Sequence, residues 1–204
     1  MHVSHSATGD VRREAVLIPL RSLSAGKGRL ADALDTDERS HLIEQMARTV
    51  VLAAHDLDVL VVHDDIDIEQ WATKLGAATL RPTEPGLNQA VTAGRDHLHK
   101  AGYDRVIIAH ADLPHAQDLR IMSTPHDVTI APDRHRDGTN VLAVATDLDF
   151  TFAYGPGSFD HHVGISRSLG IEPHIIDDPG LAWDVDTPDD LLANEEQANE
   201  ERIP

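Results

Sequence analysis

RVIIAHADLP, Arg105 to Pro114, decides the fold. Four consecutive apolar residues, Val106–Ala109, with no polar residue alternating among them, read as a buried strand of an α/β sheet. The strand continues to Ala111 and runs directly into Asp112, with Pro114 stiffening the turn that follows. Working outward, Asn88–Ala101 has helical periodicity and is closed by Gly102, and Ala77–Arg81 is a short strand. Asp67–Leu75 is a helix ended by Gly76, and Leu57–His63 is a strand built on Val59, Leu60, Val61 and Val62. Asp37–Ala54 is a helix in which Leu42, Ile43, Met46, Val50 and Leu52 recur at about 3.6 residues, with Thr36 as its N-cap. Glu14–Leu20 is the first strand. On the other side, Asp127–Ala131 and Asn140–Ala145 are strands, Phe159–Leu169 a helix, Pro173–Ile176 a short strand, and Pro188–Gln197 a last helix capped by Thr187. Strands alternating with helices predict a single α/β domain, residues 14–204, with a mostly parallel central sheet flanked by helices. Sites in such folds lie beyond the carboxyl ends of the strands.

Composition narrows the chemistry. The 204 residues suit one core, and 41% hydrophobic content is ordinary for a globular chain. Aromatic residues are only 3%, too few for a base-stacking platform, and a net charge of −18 repels a phosphate backbone, so nucleic acid is not an expected partner. The absence of cysteine excludes disulfides, thiolate metal sites and a thiol nucleophile. No apolar run is long enough for a membrane span, and Met1–Arg13 lacks the apolar core of a secretory signal, which points to a cytoplasmic protein. Residues 1–13 read as a disordered extension.

Several segments carry chemistry. In IPLRSLSAGKGRL, Ile18 to Leu30, a strand runs into a loop of small residues that presents Arg21, Lys27 and Arg29. Gly26 and Gly28 permit close backbone approach by a triphosphate, and Lys27 and Arg29 supply fixed positive charge. The spacing is not that of a P-loop. Asp112 stands at a strand's carboxyl end, where a carboxylate can hold Mg2+; alone, it fits a turn aspartate equally well. In DVDTPDD, Asp184 to Asp190, an extended backbone puts Asp184 and Asp186 on one face, two like charges that call for a cation. Thr187 and Pro188 fit a helix start, which leaves Asp184 unexplained. DGTN, Asp137 to Asn140, and YGPGSF, Tyr154 to Phe159, each pair glycine with a hydroxyl, and Ser158 opens a helix whose N-terminus suits an anion. In PGLNQA, Pro85 to Ala90, Asn88 either caps the next helix or offers its amide to a purine edge. His110 and His115 read as ordinary buried or solvated histidines.

Taken in order, IPLRSLSAGKGRL, GLNQA, HADLP, IAPDRHRDGTN, FAYGPGSFDHH and DDPGLAWDVDTPDDL resemble the 2-phospho-L-lactate guanylyltransferase family, which includes phosphoenolpyruvate guanylyltransferases and acts in coenzyme F420 biosynthesis. The resemblance runs from about Val16 to about Leu192. It implies a nucleotidyltransferase fold of the glycosyltransferase-A type, GTP as donor and a small phospho-acid as acceptor. By likeness, Asp112, Asp184 and Asp186 hold Mg2+. Thr139, Gly155 and Ser158 hold the acceptor. Gly86, Leu87 and Asn88 lie near guanine and ribose, and Lys27 and Arg29 near the triphosphate. Many members carry alanine directly before the loop lysine, where this chain has Gly26. A homo-oligomer and hand-over of product to the next pathway enzyme stay open on this reading. So do two alternatives. One is a related nucleotidyltransferase acting on 3-phosphoglycerate, a sugar phosphate or molybdopterin, although the longer glycine-rich signature of sugar nucleotidyltransferases is missing. The other is a non-catalytic nucleotide-binding domain in which the carboxylates are caps and turn residues.

Overall fold

The computed structural model describes residues 12–23 and 27–193. Expectations for residues 1–11, for Gly26, and for the helix beyond residue 193 lie outside them. Seven strands form one sheet: β1 (Glu14–Pro19), β2 (Asp58–Val62), β3 (Ala78–Leu80), β4 (Arg105–Ala109), β5 (Val128–Pro132), β6 (Thr139–Ala145) and β7 (His174–Ile175). Their order is β3-β2-β1-β4-β6-β5-β7. All pairings are parallel except those of β6, which runs antiparallel to both β4 and β5. The helices are α1 (Thr36–Leu52), α2 (Ile66–Lys74), α3 (Leu87–Lys100), α4 (Ser158–Ser168) and the short α5 (Pro179–Ala182), and a further helix occupies 188–193.

Side chains of successive strand residues point to opposite faces, so each strand feeds two cores. Val16, Ile18, Val61, Ile107 and Val141 face one side, where Ile43, Ala47 and Val50 of α1 and Ile68 of α2 cover them. Ala15, Leu17, Leu60, Ile108 and Leu142 face the other, under Val91 and Leu98 of α3 and Phe150, Phe152 and Phe159. Gly94 lets α3 lie flush on this face. A Cβ there would collide with Leu17 Cδ1 and stand 2.9 Å from Val62 Cγ2.

Three local expectations are corrected. The N-cap of α1 is Asp35 rather than Thr36: its carboxylate accepts from Glu38 N–H at 2.9 Å and Glu38 accepts from Asp35 N–H at 2.9 Å, a reciprocal capping box. Leu52 is 58% exposed, and the buried stripe of α1 runs through Ala47 and Val51 instead. Arg12 and Arg13, placed in the disordered extension, make specific contacts. Arg12 pairs with Asp127 at 3.6 Å, and Arg13 N–H donates to Asp104 at 2.8 Å.

The reversal of β6 is what positions the site. The segment between β5 and β6 is too short for a parallel crossover, so the chain turns back as a hairpin. Asp133 organises it, its carboxylate accepting from the N–H groups of His135, Asp137 and Gly138 at 2.9, 3.0 and 2.8 Å. Because β6 is reversed, its first residues, Thr139 and Asn140, stand beside the carboxyl end of β4. His110 N–H donates to Asn140 O at 3.0 Å.

Candidate active site

The carboxyl ends of β1, β2 and β3 open onto a cavity of about 380 Å³ lined by Pro19, Leu20, Arg21, His63 and the Pro82–Leu87 segment. A second cavity of about 380 Å³ shares Pro19, Leu20, Arg21 and Leu87 with it and extends to Lys27, His110 and Asp112. Together they form a groove leading from the start of α3 to the end of β4. Gly86 and Leu87 line it, Gly86 with a backbone φ of 113° that favours glycine. Asn88 does not. The N-cap of α3 is Gly86, so Asn88 falls in the first turn. Its amide is spent on Tyr154: Oδ1 accepts Tyr154 N–H at 2.8 Å and Nδ2 donates to Tyr154 O at 3.3 Å. The capping role is thereby corrected, and the amide works as a brace between α3 and the YGPGSF segment. Arg29 is exposed on the 3-10 turn Gly28–Leu30 and does not line the groove.

At the end of the groove Lys27 Nζ lies 2.5 Å from Asp112 Oδ2 and 2.5 Å from Asp186 Oδ1. Lys27 adopts a left-handed backbone, φ 54°, which costs a non-glycine residue about 1–2 kcal/mol. Burial alone would lower the Lys27 ammonium pKa, but the charges of Asp112 and Asp186 outweigh it and the net shift is upward. Burial likewise opposes ionisation of Asp112, and the adjacent Lys27 ammonium reverses the sign, holding the carboxyl below its ordinary range. Asp184 is not compensated in this way. Burial, then the charges of Asp112 and Asp186, push its carboxyl up.

A small apolar cluster explains why these groups meet. Val185, fully buried, packs with Leu30 and Met46. The alternation Asp-Val-Asp thus points valine inward and turns the flanking carboxylates away from that cluster, Asp186 onto Lys27, while Leu30 anchors the turn that follows Lys27. Val185 N–H donates to Asp112 O at 3.3 Å.

Three residues that the sequence reading did not single out brace this segment. Arg134 donates to Asp184 O at 3.1 Å, bonds the Asp190 carboxylate and stacks over Trp183 at 4.3 Å. Asp190 accepts from Asp186 and Thr187 N–H at 2.9 and 2.7 Å. Asn140 donates to Leu181 O at 2.9 Å and reaches Asp184 Oδ1 at 3.5 Å. Thr187 caps the last helix as expected, its hydroxyl accepting from Asp190 N–H at 3.4 Å.

Asn140 also joins this centre to a second patch. Its neighbour Thr139 is 1% exposed and Ser158, the first residue of α4, is 2% exposed. Thr139 N–H donates to Ser158 Oγ at 3.0 Å, and Thr139 Oγ lies 2.9 Å from His162 Nδ1. Gly155 and Gly157 both have positive φ, 138° and 70°, which turns the chain sharply into α4. Hydroxyls, the groove and the Lys27–carboxylate centre therefore share one edge of the sheet.

The family model described as guanylyl transferase CofC like matches residues 14–195. The chain belongs to that family. A phosphoenolpyruvate guanylyltransferase from Sphaerobacter thermophilus is 35% identical over 184 residues, covering 86% of this chain and 89% of the relative. A 2-phospho-L-lactate guanylyltransferase from Methanocaldococcus sp. strain FS406-22 is 31% identical over 182 residues, covering 86% and 78%. Among solved structures, a nucleotidyl transferase from Methanothermobacter thermautotroptrophicus aligns with a TM-score of 0.65 over 93% of this chain and 99% of that one. At 16% identity this likeness speaks to the fold.

As a CofC-like guanylyl transferase the chain is an enzyme of the nucleotidyltransferase class. Among the described residues no helix is long and apolar enough to cross a membrane. Nor are three metal-ligating side chains gathered into a ready-made cluster among them, since Lys27 stands between Asp112 and Asp186. The donor set nonetheless fits a divalent cation. Asp112 Oδ1 is buried without a hydrogen-bond partner, and burial with the charges of Asp112 and Asp186 holds the Asp184 carboxyl above its ordinary range although Arg134 Nη1 stands 3.8 Å from its Oδ1. His110 and His115 are half-buried, each with an unpartnered Nε2, and their rings pack on Tyr154 and Trp183.

Proposed function

We propose that the protein transfers GMP from GTP to the phosphate of a small phospho-acid, phosphoenolpyruvate or 2-phospho-L-lactate, releasing pyrophosphate, as a step of coenzyme F420 biosynthesis. The observation that carries this reading is a groove that ends at Lys27 and Asp112, with Asp186 on Lys27 and with Asn140 linking Asp184 to the neighbouring Thr139 and Ser158 hydroxyls on the same sheet edge. Guanosine would occupy the cavity at Gly86 and Leu87. The triphosphate would extend toward Lys27, with Arg29 at the mouth, and the phospho-acid would sit against Thr139, Gly155 and Ser158. The names of the relatives favour these two acceptors over a sugar phosphate.

An acceptor phosphate oxygen attacks the α-phosphorus of GTP, and the bond from that phosphorus to the bridging oxygen of the β-phosphate breaks. The nucleophile is already anionic near neutral pH, so no general base is required. The barrier comes from repulsion between anions and from misalignment. Lys27 places positive charge where the phosphates converge, and Thr139 and Ser158 fix the acceptor. Asp112, Asp184 and Asp186 are the residues that would hold Mg2+, which when bound would neutralise charge on the triphosphate and on the departing pyrophosphate.

The test is pyrophosphate release from GTP and Mg2+ with phosphoenolpyruvate, 2-phospho-L-lactate or 3-phosphoglycerate, with and without EDTA. Release that requires metal and one of the first two acceptors is the expected result. Release with none of the three, from folded protein that binds GTP, would overturn it.

A further inference from the structure

We propose that His162 is the positioning residue of the acceptor subsite, holding the Thr139 hydroxyl so that its proton is offered to an incoming anion. The inference rests on the reading that Thr139 and Ser158 seat the phospho-acid, and adds to it a residue that never touches the ligand. His162 is fully buried on the inner face of α4. Its Nε2 accepts the backbone N–H of Ala153 at 3.0 Å. A backbone N–H can only donate, so Nε2 carries no proton, and a neutral ring then carries its single proton on Nδ1. Nδ1 is 2.9 Å from Thr139 Oγ and must be the donor in that bond. The oxygen of Thr139 is thereby occupied, and its own proton has no acceptor among the described residues.

Ser158 repeats the arrangement with a different donor. Its Oγ accepts the Thr139 backbone N–H at 3.0 Å, and its proton is likewise unspent among the described residues. Two nearly buried hydroxyls are thus set in the same way: each oxygen has one lone pair engaged by a protein donor, and each proton is left to donate to a ligand. Such a pair suits an ionised phosphate or carboxylate, which offers only acceptors and takes both protons. The ring is packed edge-on against Tyr154, centroids 4.8 Å apart, and lies 5.8 Å from Phe150. Burial pushes its pKa down to about 4, with nearby His110 and His161 acting in the same direction, so the ring stays neutral at working pH.

Two substitutions separate this role from simple packing. In His162→Gln the amide oxygen takes the place of Nε2, which keeps the Ala153 bond and gives up Thr139. In His162→Asn the amide N–H takes the place of Nδ1, which keeps Thr139 and gives up Ala153. In the pyrophosphate-release assay, His162→Gln is expected to raise the acceptor KM about tenfold with the GTP KM unchanged. His162→Asn is expected to recover most of that loss although it too lacks one bond. Equal effects of the two, or an unchanged acceptor KM in His162→Gln, would overturn the role of His162. Thr139→Val serves as the reference: an unchanged acceptor KM in that variant overturns the acceptor-site reading itself, whereas a raised one beside a silent His162→Gln removes His162 alone. Independently of turnover and of how the variants fold, two-bond proton–nitrogen correlation spectra of the wild-type protein should show the His162 ring in its Nδ1–H form. An Nε2–H ring would refute the proposal.

Discussion

The Lys27 centre and the Thr139 pocket sit on the same sheet edge, joined through Asn140, yet they are built by opposite rules. In the first, one ammonium is divided between Asp112 and Asp186, a buried Asp112 oxygen has no partner, and the lysine backbone is left-handed. In the second, Thr139, Ser158 and His162 are neutral and each hydroxyl oxygen already accepts one bond from the protein. The contrast fits two tasks. Charges around a triphosphate must exchange partners as substrate and cation arrive, so their resting contacts are provisional. Hydroxyls that orient a nucleophile must be aligned beforehand, so theirs are fixed.

The sharpest way to break this contrast is Asp112→Asn, which removes a charge from the provisional centre. Turnover should fall at least about a hundredfold with little change in melting temperature. Turnover near the wild-type level would take Asp112 out of the reaction. The next largest effect tests the fixed pocket through pH. His162 has a pKa of about 4 in the folded chain against an ordinary 6.5. Above pH 6.5 neither state binds this proton and the full stability is present. As pH falls from 6.5 to 4 the unfolded chain takes up a proton that the folded chain refuses, and stability declines by about 3 kcal/mol. Urea denaturation at pH 7 and pH 4.5 should show this decline in the wild type and a smaller one in His162→Gln; parallel declines would mean that His162 titrates normally. Val185→Ala should cost roughly 2 kcal/mol by denaturation and also reduce turnover, because Val185 seats both Asp184 and Asp186. A loss of stability with unchanged turnover would assign their placement to Arg134 and Asn140. The smallest effect is Ser158→Ala, expected to raise the acceptor KM roughly five- to tenfold and to leave the GTP KM alone. A change confined to GTP would place the hydroxyl on the wrong substrate.

Much of this was legible in the sequence because burial leaves a one-dimensional trace. Continuous apolar runs marked β1, β2 and β4, although β4 ends at Ala109, two residues short of the expected Ala111, and Asp112 sits in the turn that follows. The Asp-Val-Asp alternation and the glycine-flanked Ser158 were equally plain. The direction of β6 was not, since an apolar run reads the same either way; only the short Asp133–Gly138 connection carried that signal. Arg134 and Asn140 act through contacts distant in sequence, which no local pattern shows; Asp190 acts on Asp186 and Thr187 just before it, and its spacing from the Thr187 cap is the local signal that marks it. Asn88 looked like a cap because the side-chain type is right, but the positive φ of Gly86 makes that glycine the N-cap and starts the helix at Leu87, one residue before Asn88. His162 left a faint trace, with Ser158, His162 and Ser166 forming a polar row on the buried side of α4.

Gly94 gives the groove a property that none of its lining residues controls. It sits about two turns beyond Leu87 on α3, at the point where that helix touches Leu17 and Val62. The missing side chain makes it a fulcrum: a single methyl there would lever α3 off the sheet and swing Gly86 and Leu87 with it. The width of the groove is therefore adjustable from the middle of the core, at a position outside its lining.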